Sequence, residues 1–221
     1  MKNIKNKPPL SPPKGGNCPP PKEGVGGGIF VKSSPDWKQC PKSDLPEYAF
    51  IGRSNVGKSS LINMLCNHQG LAKISSKPGK TQLINHFLID GAWHLVDLPG
   101  YGYAKTPQKI RAGFSDMISQ YILNRPQLIC LFVLIDSRLE PQKIDLDFLY
   151  NLGENEIPFA IIFTKADKQS PARTRENVNT FLNTLSEHWE TLPPHFISSC
   201  VSKEGKAEIT AFIQKTNAEI G

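Results

Sequence analysis

From Ile29 onward the chain alternates short apolar runs with longer segments of helical period, the pattern of repeating β and α units. The runs predict strands at Ile29–Lys32, Tyr48–Ile51, Leu83–Ile89, Trp93–Asp97, Ile129–Ile135, Phe159–Thr164 and His195–Ser199. Asp90-Gly91 separates the third from the fourth by a two-residue hairpin signal, so that pair should be antiparallel. The remaining strands are spaced for crossovers in a parallel sheet. Helices are expected at Lys58–His68, Pro107–Leu123, Pro141–Asn151, Pro171–Trp189 and Lys203–Ile220. In the fourth, Val178, Phe181, Leu182, Leu185 and Trp189 fall on one face, which core packing explains without a ligand. The expected fold class is therefore α/β: a mostly parallel sheet with one antiparallel strand and helices on both faces.

Residues 1–27 break this pattern. They hold seven prolines and a glycine cluster ending at Gly28, a composition that cannot bury enough apolar surface to offset its ordering entropy. A disordered basic tail is expected at 1–27, followed by one globular domain at 28–221. The tail is either a solvated extension or an RNA-contacting arm. The net charge of +6 changes little once it is located. Residues 1–44 carry eight lysines against Glu23, Asp36 and Asp44, and the rest of the chain is close to neutral, with 18 basic and 17 acidic side chains. The basic balance thus describes mainly the tail. Five scattered cysteines with no CxxC pair indicate neither a zinc site nor a disulfide framework, and suit a reducing cytoplasm. The longest apolar run, Leu128 to Ile135, is too short to span a bilayer, so no membrane partner is expected.

Candidate chemistry gathers at the ends of the predicted strands. Gly52-Arg53-Ser54-Asn55-Val56-Gly57-Lys58-Ser59 matches GxxxxGK[ST] between a strand and a helix, with Ser60 next in the helix. Its glycines let backbone N–H groups turn inward at a helix N-terminus and form an anion nest. Lys58 supplies charge for β- and γ-phosphates, and the Ser59 hydroxyl suits Mg²⁺. Asp97-Leu98-Pro99-Gly100 ends the fourth strand, 38 residues after Ser59. There the aspartate would hold Mg²⁺ through water and the Gly100 amide would meet a γ-phosphate. Thr164-Lys165-Ala166-Asp167 ends another strand. The Asp167 carboxylate can accept from guanine N1–H and the 2-amino group, donors that adenine lacks there, and the Lys165 stem would cover the ring. After the last strand, Ser198-Ser199-Cys200 places a small-residue amide near guanine O6. Thr81, within Gly79-Lys80-Thr81-Gln82-Leu83, lies in a loop that GTP would order by closing the threonine over Mg²⁺ and the γ-phosphate. The elements together indicate a GTP/GDP site with Mg²⁺. A P-loop kinase would have no use for TKAD.

GRSNVGKSSLIN, PGKTQLINHF, DLPGYGYA and TKAD, over about residues 28–218, resemble the EngB (YihA/YsxC) family of bacterial ribosome-assembly GTPases. The resemblance implies a compact α/β G domain, a monomer, that binds GTP or GDP with Mg²⁺ and helps large ribosomal subunit precursors, rRNA and proteins together, to mature. It also implies a part in cell division and septation. Carried over by position, Gly79–Leu83 is switch I and Asp97–Gly100 opens switch II. Cys200 departs from the family's usual Ser or Ala, but is small enough to keep the amide contact. Tyr101 stands where the best-known switch GTPases carry the glutamine that orients water, so intrinsic hydrolysis is expected at or below the roughly 10⁻⁴ s⁻¹ scale of an unassisted GTPase. Asn55 resembles the potassium-coordinating asparagine of cation-activated GTPases. Either K⁺ supplies the missing charge there, or Asn55 only ties the P-loop to switch I. Catalytic roles fall on Lys58, Thr81 and Asn55, and metal contacts on Ser59 and Thr81. Arg53 and Lys80, cationic and near the phosphates in sequence, are not assigned as catalytic, since solvation alone would account for them. Alternatively, GTP only sets the conformation of a binding module. Lys203, Lys206 and Lys215 are candidates for RNA contact or a solvated helix face.

Overall fold

In the computed structural model the described residues are 27–68, 70–72, 83–101 and 116–220. Seven strands form one sheet: β1 (Gly28–Ser34), β2 (Glu47–Gly52), β3 (Ile84–Ile89), β4 (Trp93–Asp97), β5 (Leu128–Asp136), β6 (Phe159–Thr164) and β7 (His195–Ile197). Their order is β1-β3-β4-β2-β5-β6-β7. Strand β3 is antiparallel to both its neighbours, and the pairs from β4 through β7 are all parallel. One strand therefore opposes six, as expected. The place of β1 is a correction: it does not enter the parallel run but pairs with β3 at the far edge. A lone apolar run carries no information about its partner.

Because side chains alternate across a strand, the central strands feed two cores. Ala49 and Ile51 of β2, with Leu131, Val133 and Ile135 of β5, face one side. There they meet α2 (Asp116–Asn124), α3 (Lys143–Glu154) and α4 (Pro171–Ser186). Tyr48 and Phe50, with Phe132 and Leu134, face the other, against α1 (Lys58–Leu65) and α5 (Lys206–Ile220). The apolar stripe of α4 lies in the first core, including Trp189 just beyond the helix. Ser170 caps α4, accepting a bond from the Arg173 amide, and Pro171 opens it.

Several helix ends are shorter than periodicity indicated, while α3 runs on to Glu154, past the expected Asn151. α1 stops at Leu65, and Asn67 then takes a left-handed conformation. α5 begins at Lys206 because Lys203 and Gly205 are also left-handed. A side chain at Gly205 would bring its Cβ within 2.2 Å of the Ile197 carbonyl. The expected tail and most of the expected 107–123 helix lie outside the described residues.

Opposite the strand ends that carry the motifs, a buried charge ties the layers together. Glu47 is fully buried, and its carboxylate accepts from Tyr121 (2.6 Å) and from Arg125 through both Nε (2.9 Å) and Nη2 (2.6 Å). His86 Nε2 lies 3.3 Å away. Burial alone would raise the Glu47 pKa, but the adjacent His86 and the bonds from Arg125 and Tyr121 hold it near 2, against an ordinary 4.5. His94, buried nearby, has its pKa lowered below 6.5 chiefly by burial.

The pH dependence follows in sign. An unfolded chain protonates His94 first below pH 6.5, and Glu47 below 4.5, while the folded state resists both. Stability is thus present at neutral pH and lost on acidification, steeply between 4.5 and 2. Glu47→Gln should leave Arg125 poorly compensated and lower unfolding free energy by about 3–5 kcal/mol, measured by urea titration at pH 7, and should flatten the acid limb.

Candidate functional site

Every described motif residue sits at the carboxyl edge of the parallel strands, the edge where open α/β sheets bind ligands. β2 runs into the loop of residues 52–57, which turns directly into α1. Gly52 is required by proximity, since a Cβ would stand 2.8 Å from the Leu134 carbonyl. Gly57, with φ of 105°, is the N-cap of α1, and no side chain caps it. Asn55 is also left-handed. The first amides of α1 are thus open at a helix N-terminus, the arrangement that binds anions.

At the end of β4, Asp97 is 4% exposed. Lys58 donates to its Oδ1, and Asn85, its cross-strand neighbour on β3, donates to Oδ2 at 3.3 Å. The P-loop lysine and the DLPG aspartate are therefore in direct contact. Ser59, adjoining that lysine, and Asp97 both offer hard oxygens, a donor chemistry that fits Mg²⁺ when completed by phosphate and water. No cluster of three or more His, Cys, Asp or Glu suited to a metal occurs among the described residues. Gly100 packs on the P-loop closely enough that a Cβ would meet the Gly52 carbonyl at 2.7 Å.

The third wall comes from β5, β6 and β7. Thr164 Oγ1 donates to the Val56 carbonyl (2.6 Å), fastening TKAD to the P-loop. Lys165 is left-handed, and its ammonium bonds Asp136 Oδ2 at 2.9 Å, so the stem lies across the cleft floor. Asp136 also takes Arg138, with Nε at 2.9 Å and Nη2 at 2.8 Å. Burial opposes it, but those bonds hold the Asp136 pKa near 2. Asp167 receives the Ser199 hydroxyl at 2.9 Å. Against a burial effect that would raise it, Ser199 and then Lys168 hold the Asp167 carboxyl below its usual pKa. An ionised acceptor thus points from the rim of the cleft. Ser198 donates its amide to the Phe163 carbonyl and accepts from Ala166 N, locking the two loops together. Cys200 keeps a protonated thiol, with burial raising its pKa to about 11.

The structure thus brings together Gly52, Arg53, Ser54, Asn55, Val56, Gly57, Lys58, Ser59, Ser60, Asp97, Leu98, Pro99, Gly100, Thr164, Lys165, Ala166, Asp167, Ser198, Ser199 and Cys200 along one edge. Gly79, Lys80, Thr81 and Gln82 lie outside the described residues, and Leu83 is exposed just before β3. One expectation is corrected. Arg53 is not a solvated cation, because its Nε lies 3.2 Å from Asp145 Oδ1 on α3, a carboxylate only 1% exposed. The same oxygen takes the Tyr101 hydroxyl at 2.8 Å. Sequence reasoning also missed Asp136, Asn85 and Asp145. The first two stand at strand ends facing the site, a position that could have singled them out; nothing in the helical pattern marks Asp145.

The family described as 50S ribosome-binding GTPase matches residues 47–165. The chain is 59% identical over 191 residues to the Probable GTP-binding protein EngB of Bacteroides thetaiotaomicron, covering 86% of this chain and 95% of the relative. It is 60% identical over the same length to the protein so named in Porphyromonas gingivalis, with the same coverage. Among solved structures, a probable GTP-binding protein EngB aligns with a TM-score of 0.58 at 24% identity, over 78% of this chain and 99% of that one. Era, in a complex with MgGDPNP and nucleotides 1506–1542 of 16S ribosomal RNA, aligns with a TM-score of 0.59 at 21% identity, over 78% of this chain and 56% of that one. These last two likenesses speak for the fold. Taken with a P-loop, a DLPG turn and a TKAD rim on one sheet edge, the sequence identities place this chain in the EngB family of GTP-binding proteins, with a GTPase domain.

Proposed function

We propose that the protein is a slow, cytoplasmic GTPase switch that assists maturation of the large ribosomal subunit and thereby supports normal cell division and septation. The observation that carries this reading is the meeting of Lys58 and Asp97 beneath an uncapped helix N-terminus, in a chain whose family is described as ribosome-binding. In the bound state the P-loop amides and the Lys58 ammonium hold the phosphates. Lys58 would exchange Asp97 for phosphate oxygens, leaving the carboxylate free beside Ser59 to help hold Mg²⁺. Ser59 and Thr81 would hold Mg²⁺, which supplies charge compensation at the β- and γ-phosphates. The Gly100 amide meets the γ-phosphate. Switch I, Gly79 to Leu83, closes with it. Asp167 reads guanine, Lys165 covers the ring from its anchor on Asp136, and the amides of Ser199 and Cys200 face O6.

Tyr101 supports the low rate. Its ring stacks on Phe148 with centroids 4.1 Å apart and its hydroxyl is committed to Asp145, so it has no water to orient. Added positive charge must then enter the site, and Asn55, exposed at the loop crest, is the candidate K⁺ ligand. The protein acts as a monomer, residues 28–221 forming the G domain and 1–27 a basic extension. Lys206 bonds Asn67 and Lys215 lies 3.9 Å from Glu219, which favours a solvated helix face over an RNA contact for these lysines. The rival reading, a binding module in which hydrolysis is incidental, is favoured by the same Tyr101.

Asp167→Asn should weaken GDP binding by roughly 10²-fold, because it removes two charge-assisted acceptors, and fluorescent-nucleotide titration measures this. An unchanged preference for guanine over adenine would overturn the assignment. GTP turnover in KCl should exceed that in NaCl at equal ionic strength several-fold, and equal rates would remove K⁺ from the mechanism. The protein should co-sediment with large-subunit precursors when loaded with a non-hydrolysable GTP analogue and dissociate with GDP. Absence from ribosomal fractions in every nucleotide state would end the assembly role.

A further inference from the structure

We propose that Asp145 of α3 is a positioning residue that clamps the start of switch II to the P-loop and thereby biases the site toward nucleotides carrying a γ-phosphate. Its Oδ1 is shared by two residues from opposite walls: Tyr101, directly after the DLPG turn, at 2.8 Å, and Arg53 of the P-loop at 3.2 Å. The carboxylate is 1% exposed, and Oδ2 has no hydrogen-bond partner among the described residues. Packing gives no reason for a charge there. Phe148, Leu149 and Leu152 of the same helix are buried in the apolar core, and Phe148 already holds the Tyr101 ring. Removing a carboxylate from water at such a position is costly, and burial indeed raises the Asp145 pKa against the lowering influence of Tyr101 and Arg53. A cost of that kind is characteristic of positions where a specific arrangement is enforced.

What the clamp enforces is the placement of Gly100. That residue adjoins Tyr101 and lies against Gly52 and Arg53, with no room for a Cβ. Holding Tyr101 on one side and Arg53 on the other keeps the Gly100 amide beside the phosphate loop before nucleotide arrives. A γ-phosphate then meets a donor already in place, whereas GDP makes no use of it. Loss of the clamp should therefore weaken the triphosphate state selectively. A purely structural role would instead weaken both nucleotides together.

The inference rests on the reading of Gly100 as a γ-phosphate contact and is independent of any ribosomal role. The test is titration of the purified protein with fluorescent GDP and a fluorescent non-hydrolysable GTP analogue, both with Mg²⁺. Tyr101→Phe retains the ring on Phe148 and should raise the analogue-to-GDP ratio of Kd roughly tenfold, the size of one hydrogen bond to a charged group, with GDP itself changing less than twofold. Asp145→Asn should shift the ratio in the same direction, and the double variant should fall short of the sum, since both act on one contact. Equal weakening of both nucleotides together with a lowered Tm, or an unchanged ratio in folded variants, would overturn the clamp. Hydrogen exchange at the Gly100 amide separates the two readings. If the analogue protects that amide while Tyr101→Phe leaves the ratio unchanged, only the clamp fails. If the analogue does not protect it, the γ-phosphate contact fails with it.

Discussion

The architecture depends on keeping a run of unpaired backbone amides open at the head of α1. An uncapped helix N-terminus inside a protein is unfavourable unless an anion or solvent meets its N–H groups. The chain supports this one from three directions. Gly52 lets the loop press on the Leu134 carbonyl of β5, Gly57 supplies the left-handed turn into the helix, and Thr164 ties Val56 to the end of β6. Two of these supports reach the loop from neighbouring strands, β5 and β6, so the sheet's register helps set the shape of the nest.

That dependence explains why both faces of the sheet must be dry. The central strands β2 and β5 are buried on both sides, and their alternation sends one set of side chains to α2, α3 and α4 and the other to α1 and α5. A strand so placed can shift only by flipping every side chain to the wrong core. The polar cluster around Glu47 guards the opposite edge, joining β2 to β3 through His86 and to α2 and the residue following it through Tyr121 and Arg125. One end of the sheet therefore carries a buried ion cluster, while the other carries the turns that hold the motifs.

Legibility in the sequence followed the range of the interaction. Residues 52–59, 97–100 and 164–167 were readable because their chemistry is local: a turn, a helix start and a strand end lie within a few positions of one another. The strands were readable because alternation and apolar runs are local too. Long-range choices were not. Ile29 to Lys32 reads as a strand, yet whether it joins β2 or β3 depends on residues more than 50 positions away. Arg53 looks like any exposed cation until α3 folds across it and presents Asp145, 92 positions later. The helix boundaries slipped at Asn67 and at Lys203 to Gly205, where backbone conformation overrode side-chain periodicity.

Tyr101 shows how one residue type can organise the surroundings of a site. A glutamine after DxxG is useful because its amide is free to meet water near the γ-phosphate. A tyrosine there is too large to share that space with the loop, and here its ring is drawn into the first core beside Phe148. Once buried, the hydroxyl needs a partner, and Asp145 meets that need. Once Asp145 is buried in turn, its charge needs a cation, and Arg53 is the residue within reach. The three side chains thus form one run of contacts, each satisfying the one before it. The chain of contacts that results runs from α3 to the phosphate loop, so a tyrosine whose hydroxyl is held in the core ties that loop to the helix behind it.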